Sequence, residues 1–228
     1  MPEIDAMSII EAVFPELSGR HILDVGCGKG ALARALSVRG VRVVGVDPNG
    51  EALKAARQTA PTAEFYMAGA EALPFADRTF DGVIFLNSLH HVPESVMRRA
   101  LLEAARVVIS VGPVIVIEPL AEGSLFSVLR LVEDETGVRA AAQEAVREAL
   151  DDGTFGQLNR IEYLRYDRYT DVDELLSHVI SVNPSRAEVA RERRAEVEAA
   201  FLRCAQAAAD GRMTLEQPMR AHVMAVTV

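Results

Sequence analysis

Nine residues, Ile22 to Gly30, constrain what this chain can fold into more than any other stretch. Ile22 to Val25 read as a buried strand, glycines come next at alternate positions (Gly26, Gly28 and Gly30), and from Ala31 to Leu36 the apolar spacing becomes helical. A strand feeding a helix through three glycines makes a turn where a ligand can approach bare backbone. Glycine allows this because it has no Cβ and tolerates positive φ. The free amides at the helix start add a hydrogen-bonding, weakly positive rim. Gly26, Gly28 and Ala31 also satisfy the dinucleotide spacing G-x-G-x-x-G/A, and a purely structural tight turn is a further reading. The turn alone leaves its ligand open.

Beyond the turn the chain keeps a strict rhythm. Val41 to Val46 is a second apolar run, rich in valine and ending in Asp47-Pro48, as expected of a strand buried on both faces. Neighbouring first and second strands bring their C-terminal ends side by side, and an acid at Asp47 can accept both hydroxyls of a ribose. Ala63 to Ala68, Phe80 to Leu86 and Val114 to Ile117 read as the third, fourth and fifth strands. Helices are predicted at 5–14, from Ala31 to Gly40, at Glu51 to Thr59 and from Pro93 to about Val107. The 5–14 helix reads as a lid or packing element, with Met7, Ile10, Val13 and Phe14 on one face. This alternation predicts an α/β, doubly wound, mostly parallel sheet with helices on both faces.

From Leu120 the pattern changes. Ser124 to Val132 and Arg139 to Leu150 read as helices, Asp151 to Asn159 as loop, and Leu164 to Tyr169 as a strand. Asp171 with Glu174, and Ser185 with Glu188, resemble capping boxes, and the second helix is predicted to reach Asp210. His222 to Val228 reads as a strand that must lie inside the sheet.

At 228 residues and half apolar, the chain can form one domain with a sizeable core. A formal net charge of -9 argues against nucleic-acid and anionic-membrane partners. Cys27 and Cys204 are far apart and in no metal spacing, so neither a disulfide framework nor a metal site is expected. The polar, acidic opening Pro2 to Asp5 is unlike a signal peptide, and no apolar run is long enough to span a membrane; a cytoplasmic protein is the expectation.

Four blocks in order carry a resemblance: Asp24-Val25-Gly26-Cys27-Gly28-Lys29-Gly30, Val46-Asp47-Pro48, Ala70-Glu71-Ala72-Leu73-Pro74-Phe75 and Phe80-Asp81-Gly82-Val83. Together they resemble class I S-adenosylmethionine-dependent methyltransferases, of the small-molecule type that includes the ubiquinone/menaquinone C-methyltransferases. The resemblance covers roughly residues 18 to 119. It implies a single domain over 1–228, a seven-stranded sheet with the last strand antiparallel, and a helical cap insertion, 120–163, over the acceptor site. It implies S-adenosyl-L-methionine as cofactor and a small-molecule acceptor. Gly26, Cys27 and Gly28 would line the methionine part through backbone, and Asp24 would sit near the amino group, directly or by way of water. Asp47 would hold the ribose diol, Ala70 and Glu71 would flank the adenine edge, Asn87 would close the pocket from below, and Gly30 and Pro48 would also belong to the cofactor site. Related sequences usually carry Asp where this chain has Gly69, which leaves the adenine amino group to Glu71, to backbone or to water.

Displacement at a methyl group on a charged sulfur needs positioning more than acid–base help, with a base required only for a protonated acceptor. His90 and His91 leave the fourth strand at the ligand-binding end of such a sheet, and imidazole titrates near neutrality. His91 matches a histidine frequent at this place in the family; the alternative is that the pair orders its own loop. Glu118 reads as a rim carboxylate. Leu125, Phe126, Leu129 and Val132 form a stripe that could line a pocket or pack a core. Tyr163, Tyr166 and Tyr169, interleaved with Arg160, Arg165 and Arg168, could bind an acceptor or form one amphipathic strand. The helix from 186 to 209 could be a lid, a homodimer contact or a solvated outer helix.

Overall fold

A computed structural model describes residues 4–227; Pro2 and Glu3 of the acidic opening, and Val228 at the end of the last predicted strand, lie outside the described residues. In chain order the elements are α1 (Ala6–Val13), β1 (His21–Val25), α2 (Ala31–Ser37), β2 (Arg42–Asp47), α3 (Gly50–Thr59), β3 (Glu64–Met67), β4 (Gly82–Leu86), α4 (Glu94–Val107), β5 (Pro113–Pro119), α5 (Ser124–Leu129), α6 (Thr136–Asp151), β6 (Phe155–Tyr169), α7 (Val172–Val182), α8 (Ala187–Glu192), α9 (Arg194–Cys204), β7 (Gln206–Ala207) and β8 (Met213–Val226). The sheet order is β3-β2-β1-β4-β5-β8-β6, with the two-residue β7 paired to β8 off this path. The β1–β2, β1–β4, β2–β3 and β4–β5 pairings are parallel. The sheet is mostly parallel with one antiparallel strand, as the α/β doubly wound expectation requires.

The chain divides into two compact units. One runs to Glu118 and adds Ala141–Glu162 and the stretch from Arg220 onward; the other comprises Pro119–Ala140 and Tyr163–Met219. In the first unit the valine-rich strands are buried on both faces. Leu23, Val25, Val44, Val46, Val83, Phe85, Val114 and Val116 share one core with Met97, Leu101 and Ala104 of α4 and Val146 of α6. α1 is a packing helix: Asp5 caps it, Ile9 and Ile10 are buried, and the adjoining Phe14 lays its ring against Gly82, where a Cβ would come within 2.4 Å of it. In the second unit Leu125, Val128 and Val132 pack with Val172, Leu175, Val179, Val197 and Phe201. The apolar stripe of α5 is therefore core, and the buried Arg139 guanidinium stands 4.8 Å from the Phe126 ring.

Several boundaries differ from the sequence expectation. β6 begins at Phe155, inside the expected loop 151–159, because an outermost strand can be solvated and needs no apolar alternation; Gly156 to Arg160 are all exposed. β8 begins at Met213, nine residues ahead of His222. The helix expected to reach Asp210 breaks at Arg193, which adopts φ -99° and ψ 14°, and ends at Cys204, with no glycine or proline to signal the break. Asp171 caps α7 as expected, but Asn183 rather than Ser185 makes the next cap, receiving the Ser185 amide at a short 3-10 turn.

The loop 70–77 has little regular structure and is held from α4. Arg106 donates to the carbonyls of Phe75 (2.7 Å) and Leu73 (3.0 Å), and Glu103 accepts the Leu73 amide at 2.8 Å while pairing with Arg106. Arg106→Ala removes both carbonyl partners and leaves Glu103 without its cation. The expected loss is about 2 kcal/mol in urea unfolding, with faster amide exchange confined to residues 70–77.

Candidate functional site

The glycine turn is tied to the tip of the adjacent strand. Gly26 and Cys27 both donate their amides to the Val46 carbonyl, at 2.8 and 3.0 Å, and the Gly30 amide closes the turn on the Cys27 carbonyl at 2.9 Å. All three glycines have positive φ, at +73°, +51° and +82°. Their surroundings separate their tasks. A Cβ on Gly26 would lie 2.5 Å from the Cβ of Ser88, so that glycine permits close packing against the β4 exit. A Cβ on Gly28 would meet nothing within 4 Å, so that backbone borders open space.

Asp47, half-buried at the end of β2, is oriented by two amides: Gly28 donates to Oδ2 at 2.9 Å and Asn49 to Oδ1 at 2.8 Å. Each carboxylate oxygen accepts more than one hydrogen bond, so acceptor capacity for a diol remains. Pro48 beside it is exposed. Met67 is the register partner of Asp47 on β3 and is 72% exposed, an apolar side chain at the strand tip that no sequence pattern singles out.

Asp24 is the most unusual group of the site. It is 2% exposed, and its Oδ2 is buried without a hydrogen-bond partner. Burial foremost, then the charge of Asp47, pushes its carboxyl up to about 7. The same burial, with the Asp24 and Asp47 charges, pushes the Cys27 thiol up, so Cys27 is a packed neutral thiol rather than a nucleophile. Asn87 is the second such residue. It holds φ +53°, its amide donates to the Ile117 carbonyl, and its Oδ1 is buried without a partner. Strained backbone and unpaired buried acceptors together are what a binding site tolerates and a plain core does not.

Next to Asn87, a buried carboxylate organises the β4 exit. Glu118 is 1% exposed, a core group where a rim carboxylate was expected. Its Oε1 accepts the amides of Ser88 (3.0 Å) and Leu89 (2.8 Å), and its Oε2 pairs with His90 Nδ1. The Ser88 hydroxyl donates to the Val25 carbonyl at 2.7 Å. His90, 4% exposed, therefore orders the loop, while the exposed His91 lies against it in a tilted ring contact, centroids 4.0 Å apart. The sequence signal for this arrangement is the pairing of Ser88 and His90 after β4 with Glu118 at the end of β5.

After β3, Ala70 is buried and Glu71 half-buried. A Cβ on Gly69 would come within 2.5 Å of both Glu71 carboxylate oxygens, so the Glu71 carboxylate fills the room that a side chain at 69 would take. The Tyr–Arg cluster separates by strand parity: Tyr169 is buried, Tyr163 half-buried on the same face, and Tyr166 exposed on the other.

Residues 22–112 match the family model described as a methyltransferase domain. A ubiquinone biosynthesis O-methyltransferase of Alkalilimnicola ehrlichii is 43% identical over 83 residues, covering 34% of this chain and 34% of that protein. A demethylmenaquinone methyltransferase of Renibacterium salmoninarum is 34% identical over 110 residues, covering 48% and 45%. These matches thus span less than half the length of either relative. Among solved structures, a proposed methyltransferase of Bacillus halodurans C-125 superposes with a TM-score of 0.66 at 21% identity, covering 97% of this chain and 98% of that one. The cyclase SpnF superposes at 0.58 with 18% identity, covering 93% and 79%. Among the described residues no helix is long and apolar enough to cross a membrane. The sequence match to a methyltransferase domain is thus confined to residues 22–112, while over nearly its whole length the chain shares the fold of the Bacillus halodurans protein.

Proposed function

We propose that this protein is an S-adenosylmethionine-dependent methyltransferase acting on a small-molecule acceptor in the cytoplasm. The observation that carries the reading is the buried, unpartnered Oδ2 of Asp24 at the end of the strand that enters the glycine turn. A ligand bringing an ammonium for Asp24 and a ribose diol for Asp47 satisfies both carboxylates. A dinucleotide brings the diol for Asp47 but no cationic donor for the unpartnered Asp24 Oδ2.

In this reading Asp24 accepts the methionyl ammonium, directly or through water. Gly26, Cys27, Gly28 and Gly30 offer backbone along the methionine part, and Asp47 with Pro48 holds the ribose. Glu71, its carboxylate over Gly69, receives the adenine amino group beside Ala70, and Asn87 closes the floor. When bound, S-adenosylmethionine supplies a methyl group on a cationic sulfur, already activated for in-line displacement. Positioning of this kind is worth up to roughly 7–11 kcal/mol of barrier reduction. His91 is assigned the proton of an acceptor that arrives protonated, and His90, anchored on Glu118, sets the loop that carries it. Residues 120–163 are assigned to acceptor recognition.

A second reading is that the chain binds the cofactor yet transfers no methyl group; the cyclase SpnF shares this fold and is named for a different reaction. Transfer of labelled methyl from S-adenosylmethionine to small molecules of a cell extract supports the first reading, and tight binding without transfer supports the second.

Asp47→Ala is expected to weaken S-adenosylhomocysteine binding tenfold or more by calorimetry, about 1.4 kcal/mol. His91→Ala is expected to lower turnover with that affinity unchanged; full activity would leave His91 no part in proton transfer.

The Asp24 carboxyl gives a pH signature. Unfolded, it ionises near pH 4; in the fold it stays protonated to about pH 7. The native state therefore binds the extra proton, and this group's contribution to stability falls from about pH 4 to about pH 7 and is level above. Urea unfolding at pH 5 and pH 8 is expected to show a decline that Asp24→Asn reduces. Binding of S-adenosylhomocysteine at pH 6 should release close to one proton, read as a buffer-dependent heat, and Asp24→Asn should abolish it.

A further inference from the structure

β6 ends the sheet order, and among the described residues its outer side carries no strand. It is fifteen residues long and largely solvated, with Leu158 63% and Leu164 40% exposed. An edge of this length offers unpaired backbone groups to another chain unless its side chains prevent pairing. The side chains here do the reverse. The stretch Leu158-Asn159-Arg160-Ile161-Glu162-Tyr163-Leu164 is chemically symmetric about Ile161.

We propose that two copies of this chain associate edge to edge along β6, antiparallel, with the two-fold axis at Ile161. In that register Arg160 of each copy faces Glu162 of the other, Leu158 faces Leu164, Asn159 faces Tyr163, and Ile161 faces itself. Opposed residues lie on one face of the joined sheet, so these pairs touch. Within one chain Arg160 already contacts Glu162 at 2.6 Å, and Arg220 contacts the same carboxylate at 2.9 Å. Pairing across the axis turns this into an alternating Arg–Glu quartet, and networks of exposed ion pairs contribute where isolated pairs contribute little. The Asn159 carbonyl accepts the Gln157 side chain at 2.6 Å, a bond that a ladder partner would replace.

Neighbouring registers fail on charge or polarity. An axis at Arg160 or Glu162 sets like charges face to face. An axis at Tyr163 opposes Ile161 to Arg165 and Glu162 to Leu164. An axis at Leu164 opposes Arg160 to Arg168. A seven-residue edge pairing is a small interface of the weak, concentration-dependent kind. The inference is independent of the methyl-transfer reading.

Sedimentation of the full chain up to about 100 µM should show a monomer–dimer equilibrium. Arg160→Glu and Glu162→Arg should each raise the dimer dissociation constant tenfold or more, and the charge-swapped double variant should restore it. Ile161→Cys should form a reducible cross-linked dimer on mild oxidation, because directly opposed Cα atoms in an antiparallel pair are about 4.5–5.5 Å apart, within disulfide range. Circular dichroism checks that each variant is folded. A wild type monomeric throughout, a dimer indifferent to the single changes, or a double variant without rescue would overturn the proposal.

Discussion

The Val46 carbonyl accepts two consecutive amides, Gly26 and Cys27, and the next amide, from Gly28, falls on the Asp47 carboxylate. These three bonds couple the exit of β1 to the exit of β2. They require positive φ at Gly26 and Gly28, so they require glycine there. They also hold Asp47, whose second oxygen takes the Asn49 amide as α3 begins. The turn and the strand-tip acid are therefore one unit. The spacing of 21 residues between Gly26 and Asp47 is the length of chain needed to go out along α2 and return along β2.

Two deeply buried carboxylates flank this unit and behave oppositely. Glu118 receives the Ser88 and Leu89 amides and the His90 ring, so its charge is matched and it immobilises the β4 exit. Asp24 keeps one oxygen unmatched, and burial holds it largely protonated below neutrality. A buried acid without a partner lowers stability unless something arrives to satisfy it. The contrast separates scaffold from site more sharply than the residue types do, since both acids stand near the C-terminal ends of buried strands.

How much of this is legible in the sequence depends on where burial acts. Strands β1 to β5, the glycine turn and Asp47 are legible because burial on both faces demands unbroken valine and isoleucine runs, and the turn demands glycine. The β6 start at Phe155 is not, because its solvated residues carry no hydrophobic period; the β8 start at Met213 is not, because the buried Gln217 and the adjoining Pro218 interrupt the alternation of Leu215, Met219 and Ala221. The break at Arg193 leaves no mark in composition. Of the paired histidines, sequence favours His91. That His90 is the buried, Glu118-bound member depends on a contact twenty-eight residues away, which no local pattern encodes.

The departure at Gly69 illustrates how a site tolerates a missing side chain. An aspartate two residues upstream of Glu71 would bring a second carboxylate into space that the Glu71 oxygens occupy, since even a Cβ there would lie 2.5 Å from them. A side chain at 69 would have to displace the tip of Glu71, so glycine there leaves the Glu71 carboxylate its place over the loop. The loop's anchoring by Arg106 and Glu103 bears on Leu73 and Phe75 and leaves residues 69–71 free of that constraint. A carboxylate is thus still present at this corner, carried on a longer side chain from a different residue. In the proposed reading this is the carboxylate that meets the adenine edge, supplied from two positions further along.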